Sequence, residues 1–177
     1  MNRREIYRNE WMGILEFDVI RPDGGKGIYA YMNCHPAIGI VPVNDEGITW
    51  LVGQYRFPVE KFLWEIPSGM GEKNESNRET ALRELREETG LTGGEILELG
   101  SFYTSNSLTD ETATIFLARN LSPGKTDFDV TEKLTIKKVH ISEAMEMIDE
   151  GLIRDSMSLI GLRWAVEYLK KLFHNLP

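Results

Sequence analysis

Three glutamates stand close together near the end of a segment with helical character. Glu84 and Glu88 are four residues apart, and Glu87 lies beside them, so a helix would bring all three onto one face. Like charges at this spacing repel, and carboxylates near a helix C-terminus also meet the negative end of the helix dipole. A bound cation would compensate both effects, and carboxylate oxygens are hard ligands that suit Mg²⁺ or Mn²⁺.

The same cluster also has a simpler interpretation as a solvated acidic helix face. Arg78, Arg83 and Arg86 lie in the same segment and could neutralise the three carboxylates. The acidic cluster by itself leaves both interpretations open. The residues around it decide between them.

The glutamates belong to a longer pattern of defined residues at defined spacings. Residues 69–91 read GMGEKNESNRETALRELREETGL. This run resembles the Nudix box at every defined position, and those positions are Gly69, Glu75, Arg83, Glu84, Leu85, Glu87, Glu88, Gly90 and Leu91. So many matched positions make a more specific signal than a short glycine motif does. The runs at 54–58 (QYRFP), 64–69 (WEIPSG) and 150–155 (EGLIRD) resemble the ADP-ribose and nucleoside-diphosphate-sugar branch of that family.

The resemblance implies a metal site built around the box. Glu84 and Glu88 would bind Mg²⁺ directly, and Glu87 would bind it directly or through water. The carbonyl of Ser68 lies where this branch supplies a backbone ligand. Arg83 would orient the glutamates, so we count it with Glu87 among the catalytic residues although it is not expected to touch substrate.

The resemblance also implies substrate-binding residues and a general base outside the box. Arg56 matches a position that contacts phosphate in relatives, although a surface ion pair is its alternative role. Glu65 is the second substrate-binding candidate. Glu132, in the acidic segment 127–133, fills the slot from which this branch often supplies the base, and it could instead be a further metal ligand. The alternatives for the base are Asp129 and Glu111.

The activity implied is Mg²⁺-dependent hydrolysis of the pyrophosphate bond of nucleoside diphosphate sugars such as ADP-ribose and ADP- or GDP-sugars. The products would be a nucleoside monophosphate and a sugar phosphate, and relatives in this branch are commonly homodimers. Residues 104–108 (TSNSL) lack the proline that ADP-ribose-specific members carry after the box, which leaves room for other sugars. Two alternatives are a nucleotide-sensing module without turnover and an enzyme for dinucleoside polyphosphates or nucleoside triphosphates. The intact glutamates argue against the sensor.

The elements that must position these residues can be predicted from periodicity and turn signals. Apolar runs separated by turn residues predict a hairpin over 11–33 and strands at 37–43, 48–55, 62–66, 95–103, 112–117 and 134–139. Ser76 and Glu79 form a capping box that begins a helix ended by Gly90. Further helices are predicted over 142–150 and from Asp155 to about residue 173.

This mixture of strands and helices without strict alternation predicts an α/β fold with a mixed sheet flanked by helices. The resemblance implies specifically the Nudix α/β/α sandwich. Residues 37–177 would form this domain. Residues 1–36 would form an N-terminal β-hairpin extension that could act as a dimerisation arm.

Composition narrows the partners and the location. The chain has 177 residues and a formal net charge of −8, so nucleic acid is not an expected partner. No run is apolar enough for a membrane span or a signal peptide, and the single cysteine, Cys34, fits a reducing compartment. We therefore expect a cytoplasmic protein that does not bind membranes. The three scattered histidines, His35, His140 and His174, lack metal-ligand spacing and are interpreted as structural.

Overall fold

The computed structural model describes residues 2–124 and 134–174, with side chains of the last helix described as far as residue 172. The strands are β1 Arg3–Arg8, β2 Met12–Ile20, β3 Lys26–Cys34, β4 Ala37–Pro42, β5 Ile48–Arg56, β6 Lys61–Glu65, β7 Ser68–Met70, β8 Leu91–Thr92, β9 Glu95–Tyr103, β10 Thr112–Arg119, β11 Ser122–Pro123 and β12 Thr135–His140. The helices are α1 Asn77–Thr89, α2 Ile141–Asp149 and α3 Ser156–His174, and a 3₁₀ turn covers Phe57–Val59.

Two central sheets carry the domain. In the first, of order β7-β4-β10-β9, strands β4 and β10 are parallel while the other neighbours are antiparallel. The second has the order β12-β5-β6 and is antiparallel throughout. The predicted mixed sheet is therefore confirmed, and its one parallel pair accounts for the mixture.

Alternating side chains on β10 show how the helices cover this sheet. Ile115 and Leu117 join the core that α2 and α3 bury on one side. Phe116 and Ala118 point the other way, into the core beneath Leu85 of α1. Because successive residues of a strand face opposite sides, a strand segment buried on both sides is expected to be apolar throughout, as residues 115–118 of β10 are. The predicted α/β/α sandwich is confirmed.

The N-terminal segment forms a separate three-stranded antiparallel sheet, β1-β2-β3. The predicted hairpin corresponds to β2 and β3, and Gly24 in its turn has the positive φ of 80° that favours glycine. Strand β1 was not predicted. It is held to β2 partly by Arg4, which forms ion pairs with Glu16 and Asp18.

Local capping sets the ends of the helices, and the caps predicted at Ser76, Gly90 and Asp155 are present. The Ser76 side chain accepts from Glu79 N, the Glu79 side chain reaches back to the Ser76 N–H, and Gly90 ends α1 at a φ of 70°. Asp155 begins α3 by accepting a hydrogen bond from Ser158 N at 2.9 Å. His140 caps α2 through Ser142 N, a structural role. Within the described residues, none of the helices has both the length and the apolar character that crossing a membrane requires.

Candidate active site

Strand β7 brings the segment before the box against the last turns of α1. It pairs with β4 at the edge of the first central sheet, with Ser68 opposite Gly39. Glu84 and Glu88 are charged side chains on α1, yet they are only 8% and 4% exposed. Ser68 N donates a 2.8 Å hydrogen bond to Glu88 Oε2. The structure thus brings together Ser68, Glu84 and Glu88, three of the four residues predicted to hold metal.

Gly69 is required because the Glu84 carboxylate occupies the space that a side chain would need. A Cβ at Gly69 would lie 1.9 Å from Glu84 Oε1 and 2.2 Å from the carboxyl carbon. Real Cβ atoms do not approach other atoms this closely, so any larger residue would displace Glu84. The first glycine of the box therefore makes room for the carboxylate.

Arg83 lies at the centre of the glutamate cluster. Its Nη1 donates to Glu84 Oε1 at 2.6 Å and to Glu87 Oε2 at 3.2 Å, and its Nε donates to Glu75 Oε1 at 3.1 Å. Burial lowers the pKa of Arg83, but hydrogen bonds to Glu75 and the neighbouring carboxylates outweigh it and raise the pKa above its ordinary value. The predicted contact between Arg83 and the box glutamates is present in the structure.

Glu75 anchors this arginine, a contact to which the sequence analysis assigned no role. The hydrogen bond from Arg83 holds the pKa of Glu75 below its ordinary value, and a 2.8 Å hydrogen bond from Thr80 Oγ1 acts in the same direction. The position of Glu75 in the box could have indicated this contact. A carboxylate just before the start of α1 can reach an arginine on the near face of that helix.

The carboxylates are turned towards Arg83 and the β7 backbone. Among residues 2–124 and 134–172, no three His, Cys, Asp or Glu side chains converge in a way that could hold a metal ion. The donor chemistry nevertheless fits a hard divalent cation, because Glu84 and Glu88 are buried carboxylates one turn apart on α1, and Glu84 lies beside Gly69.

Arg56 and Glu65 form a second, separate cluster. Arg56 Nε lies 3.0 Å from Glu65 Oε1 and 3.2 Å from Oε2, and the two side chains are 42% and 4% exposed. The hydrogen bond to Glu65 raises the pKa of Arg56 above its ordinary value. The predicted alternative for Arg56, an ion pair, is therefore present, but its partner is a buried carboxylate rather than a surface one.

A cavity of about 690 Å³ is lined by Arg56 and Glu65. It reaches the glutamate cluster through Ser68, whose N–H is bonded to Glu88. This volume lies within the usual range for small-molecule sites, roughly 300–1,000 Å³. The lining includes Arg56, Glu65, Ser68 and the predicted alternative base Glu111. It also includes residues that the sequence analysis did not single out for the site: Pro58, Val59, Lys61, Leu63, Thr104, Arg154, Asp155, Ser156 and Met157.

Asp155 is the most unusual of these additional residues. Burial raises the pKa of its carboxyl above the ordinary value, an effect only partly offset by the hydrogen bonds from Ser158. Oδ1 is buried and has no hydrogen-bond partner among the described residues. The sequence predicts Asp155 as a helix cap but does not place it beside Arg56 and Glu65, because that depends on the start of α3 lying next to the end of β6. There Ile66 N donates to Ser158 Oγ at 2.8 Å.

Of the three carboxylates predicted as the general base, the structure describes one. Glu132 and its alternative Asp129 fall outside the described residues. Glu111, the other alternative, has its backbone N–H bonded to Thr109 Oγ1 at 3.0 Å and lines the cavity.

Comparisons with known proteins show which family and which proteins the chain resembles. The family model for the NUDIX domain matches residues 34–150. The chain is 33% identical over 171 residues to an ADP-ribose pyrophosphatase of Bacillus subtilis, covering 95% of this chain and 90% of that protein. It is 38% identical over 159 residues to a methanol dehydrogenase activator of Bacillus methanolicus, covering 88% and 84%. A crystal structure of an ADP compounds hydrolase superimposes with a TM-score of 0.86 at 23% identity, covering 97% of this chain and 94% of that one.

Proposed function

The chain belongs to the NUDIX family, and from that premise we propose that it hydrolyses the pyrophosphate bond of ADP-ribose and related nucleoside diphosphate sugars. Water and the substrate would give a nucleoside monophosphate and a sugar phosphate. The observation that carries this proposal is the cavity, which has the Arg56 cation and Ser68 of the metal-ligand set in one lining. The full-length similarity to ADP-ribose pyrophosphatases supports ADP-ribose as the first substrate to test.

Nudix hydrolases generally need a divalent metal ion. Ser68, Glu84, Glu87 and Glu88 are the residues that would hold Mg²⁺ here, or Mn²⁺ in its place, since all offer oxygen ligands. When bound, such a cation screens the negative charge of the diphosphate and lowers the pKa of a water molecule. The burial of Glu84 and Glu88 supports this assignment, as do the position of Glu84 beside Gly69 and the hydrogen bond from Ser68 N to Glu88.

Arg83 acts in this proposal as a positioning residue. Its guanidinium holds Glu84 and Glu87 through hydrogen bonds while Glu75 holds Arg83 in turn. It thereby limits the repulsion among the carboxylates before a metal binds. We do not expect it to touch substrate.

Arg56 is proposed to bind an oxygen of the diphosphate. A guanidinium can donate to several oxygens at once and stabilises the negative charge there. Glu65 holds two of its donor nitrogens at the cavity wall, which limits the rotamer freedom that binding would otherwise remove. Glu65 therefore contributes to substrate binding mainly by positioning Arg56.

Glu132 is proposed to accept the proton of the attacking water. If so, Glu132→Gln lowers turnover by about 10²–10⁴-fold, the usual contribution of positioned proton transfer, while the Mg²⁺ concentration for half activity stays near the wild-type value. A raised Mg²⁺ requirement would identify Glu132 as a metal ligand. Near-normal turnover would reject both roles and lead to Asp129→Asn and Glu111→Gln.

A cytoplasmic homodimer is proposed for the assembled protein, with residues 1–36 as the dimerisation arm. Large apolar side chains are exposed on the N-terminal sheet, including Ile6, Ile20 and Ile28, and such patches favour protein contacts. The single cysteine fits a reducing compartment. Sedimentation of the full chain at micromolar concentration tests the dimer, and a monomer would contradict it.

A substrate panel with Mg²⁺ tests the activity itself. ADP-ribose, ADP-glucose, GDP-mannose, UDP-glucose, a dinucleoside polyphosphate and a nucleoside triphosphate are each incubated with the protein, and products are identified by chromatography. We expect ADP-ribose to give AMP and ribose 5-phosphate. Binding of ADP-ribose without turnover would instead indicate a sensing module, and preferential release of pyrophosphate from the triphosphate would reassign the substrate.

A further inference from the structure

The N-terminal sheet is joined by hydrogen bonds to a loop that borders the cavity. Three of these bonds link β3 to residues 107–110. Tyr29 Oη donates to Ser107 O at 2.7 Å, and Met32 N donates to Leu108 O at 2.8 Å. Asp110 N completes the ladder by donating to Met32 O at 3.2 Å. We call this set of contacts the β3–loop junction.

The side chain of Asp110 is the centre of the β3–loop junction. Its Oδ1 accepts from Cys34 N at 2.9 Å, and its Oδ2 accepts from Asn33 Nδ2 at 2.7 Å. Asn33 in turn accepts from Arg8 Nη2 of β1 at 3.1 Å. Hydrogen bonds to an ionised carboxylate are stronger than bonds between neutral groups, so Asp110 contributes more to this junction than the neutral Tyr29 contact does.

The two ends of the same loop belong to the cavity wall. Thr104 and Glu111 both line the cavity with Arg56 and Ser68. Their backbones are joined by a bond from Thr104 N to Glu111 O at 3.3 Å. Asp110 is the immediate chain neighbour of Glu111, so a shift at the β3–loop junction is transmitted to the wall across one peptide unit.

We propose that Asp110 is a positioning residue for substrate binding, through which the N-terminal sheet holds the 104–111 wall of the cavity in place. The N-terminal sheet then belongs to the binding site as well as being an extension of the domain. The inference rests on the proposed hydrolysis of nucleoside diphosphate sugars. It assigns to that site a determinant that lies outside both the box and the cavity lining.

The test compares Asp110→Ala with a matched control in the full-length protein. Asp23→Ala removes another aspartate of the N-terminal sheet, whose Oδ1 accepts from Gly25 N at 2.9 Å in the β2–β3 turn. For each variant we would measure the rate of amide hydrogen exchange across residues 104–111 and the kcat and KM of ADP-ribose hydrolysis. Asp110→Ala should exchange faster in this loop and raise KM about tenfold with kcat near the wild-type value, because small misplacements in a site can cost up to about 100-fold.

Graded variants separate positioning from general loss of stability. Asp110→Asn keeps an acceptor for Cys34 N, so its KM should lie between that of wild type and that of Asp110→Ala. Tyr29→Phe removes only the bond to Ser107 and should raise KM slightly, which keeps the proposal testable if Asp110→Ala does not fold. The Asp23→Ala control should lower the melting temperature at most and leave KM unchanged.

The outcomes that overturn the inference differ from those that overturn the proposed function. Three results would refute the role of Asp110 without affecting the proposed function. They are an unchanged KM in Asp110→Ala despite faster exchange in the loop, an unchanged exchange rate in that variant, and an equal rise of KM in Asp23→Ala. A wild-type protein that neither binds nor hydrolyses ADP-ribose would refute the proposed function, and the inference with it.

Discussion

Individual residues of the site are organised as carboxylates held by arginines. Arg83 contacts three glutamates, and Arg56 contacts the buried Glu65. Removing one member of a buried ion pair leaves an uncompensated charge, which costs more than losing a pair on the surface. Each arginine is therefore expected to affect stability as well as activity, and the two effects can be separated by experiment.

Arg56→Ala is expected to lower both stability and catalysis. The free energy of unfolding should fall by about 1–3 kcal/mol, below the value for a fully buried pair because Arg56 is partly exposed. The value of kcat/KM should fall by similar factors on every diphosphate substrate, since phosphate is their shared part. Chemical denaturation and steady-state kinetics measure the two effects.

The double variant Arg56→Ala/Glu65→Gln is the control for this prediction. It removes the buried charge together with its partner, so stability should partly recover while activity stays low. A loss of activity confined to one nucleobase would contradict phosphate binding and show that Arg56 recognises the base.

Asp155→Asn is expected to stabilise the protein in a pH-dependent way. Burial raises the folded-state pKa of Asp155 above its ordinary value of 3.8, so the folded state holds its proton more tightly than the unfolded state does. The free energy of unfolding of the wild type therefore begins to fall as pH rises through 3.8. The fall is complete above the folded-state pKa of Asp155. The amide that replaces the carboxyl carries no charge at any of these pH values, yet its oxygen can still accept from Ser158 N.

Melting temperatures of wild type and Asp155→Asn between pH 4 and pH 8 measure this effect. The variant should melt higher at pH 7, and the difference should shrink towards pH 4. A difference that stays constant with pH, or that grows in acid, would show that the carboxyl is not destabilised by its burial.

At the scale of secondary structure, the contact of β7 with α1 is the feature on which the site depends. Gly69→Ala should push the Glu84 carboxylate out of place and reduce turnover by about 100-fold, the cost of a small misplacement in a site. Gly71→Ala is the matched control, because its nearest neighbour is Pro36 Cγ at 3.3 Å. Equal losses of activity in the two variants would show that the tight packing at Gly69 is not specific to the carboxylate.

Elements with local signals could be predicted from the sequence. Helix α1 begins and ends where Ser76 and Gly90 place it, because a capping box and a glycine with positive φ act within a few residues. The strands that form the buried core were also predicted, since a strand buried on both faces is a continuous apolar run. Because Glu84, Glu87 and Glu88 lie on α1, their common position on one helix could be predicted together with the helix.

Features that depend on contacts distant in sequence could not be predicted in the same way. Strand β7 has only three residues and includes Gly69, so it shows no alternation that would distinguish it from a loop. Strand β1 is a polar edge strand with most side chains exposed. The ion pair of Arg56 with Glu65 is not indicated by strand pairing, because the β5–β6 register places Arg56 opposite Lys61.

For the molecule as a whole, the cavity forms where several units meet. Strands β5, β6 and β7 supply Arg56, Glu65 and Ser68, the start of α3 supplies Asp155, and the loop held by β3 supplies Glu111. No one of these units contains a complete site. Catalysis is therefore expected to depend on the folded domain together with its N-terminal sheet.

The most direct test of the account is ADP-ribose hydrolysis measured across a Mg²⁺ titration for wild type and Glu88→Gln. Wild type should form AMP and ribose 5-phosphate only with a divalent cation, and chelation should stop the reaction reversibly. Glu88→Gln should require more Mg²⁺ and be slower by more than about 100-fold, since even the loss of outer-sphere partners costs about 10–100-fold. Its melting temperature without Mg²⁺ should equal or exceed that of wild type, because a repelling charge is removed from the helix end. Full turnover of wild type in excess chelator, or an unaltered Mg²⁺ requirement in Glu88→Gln, would contradict the account.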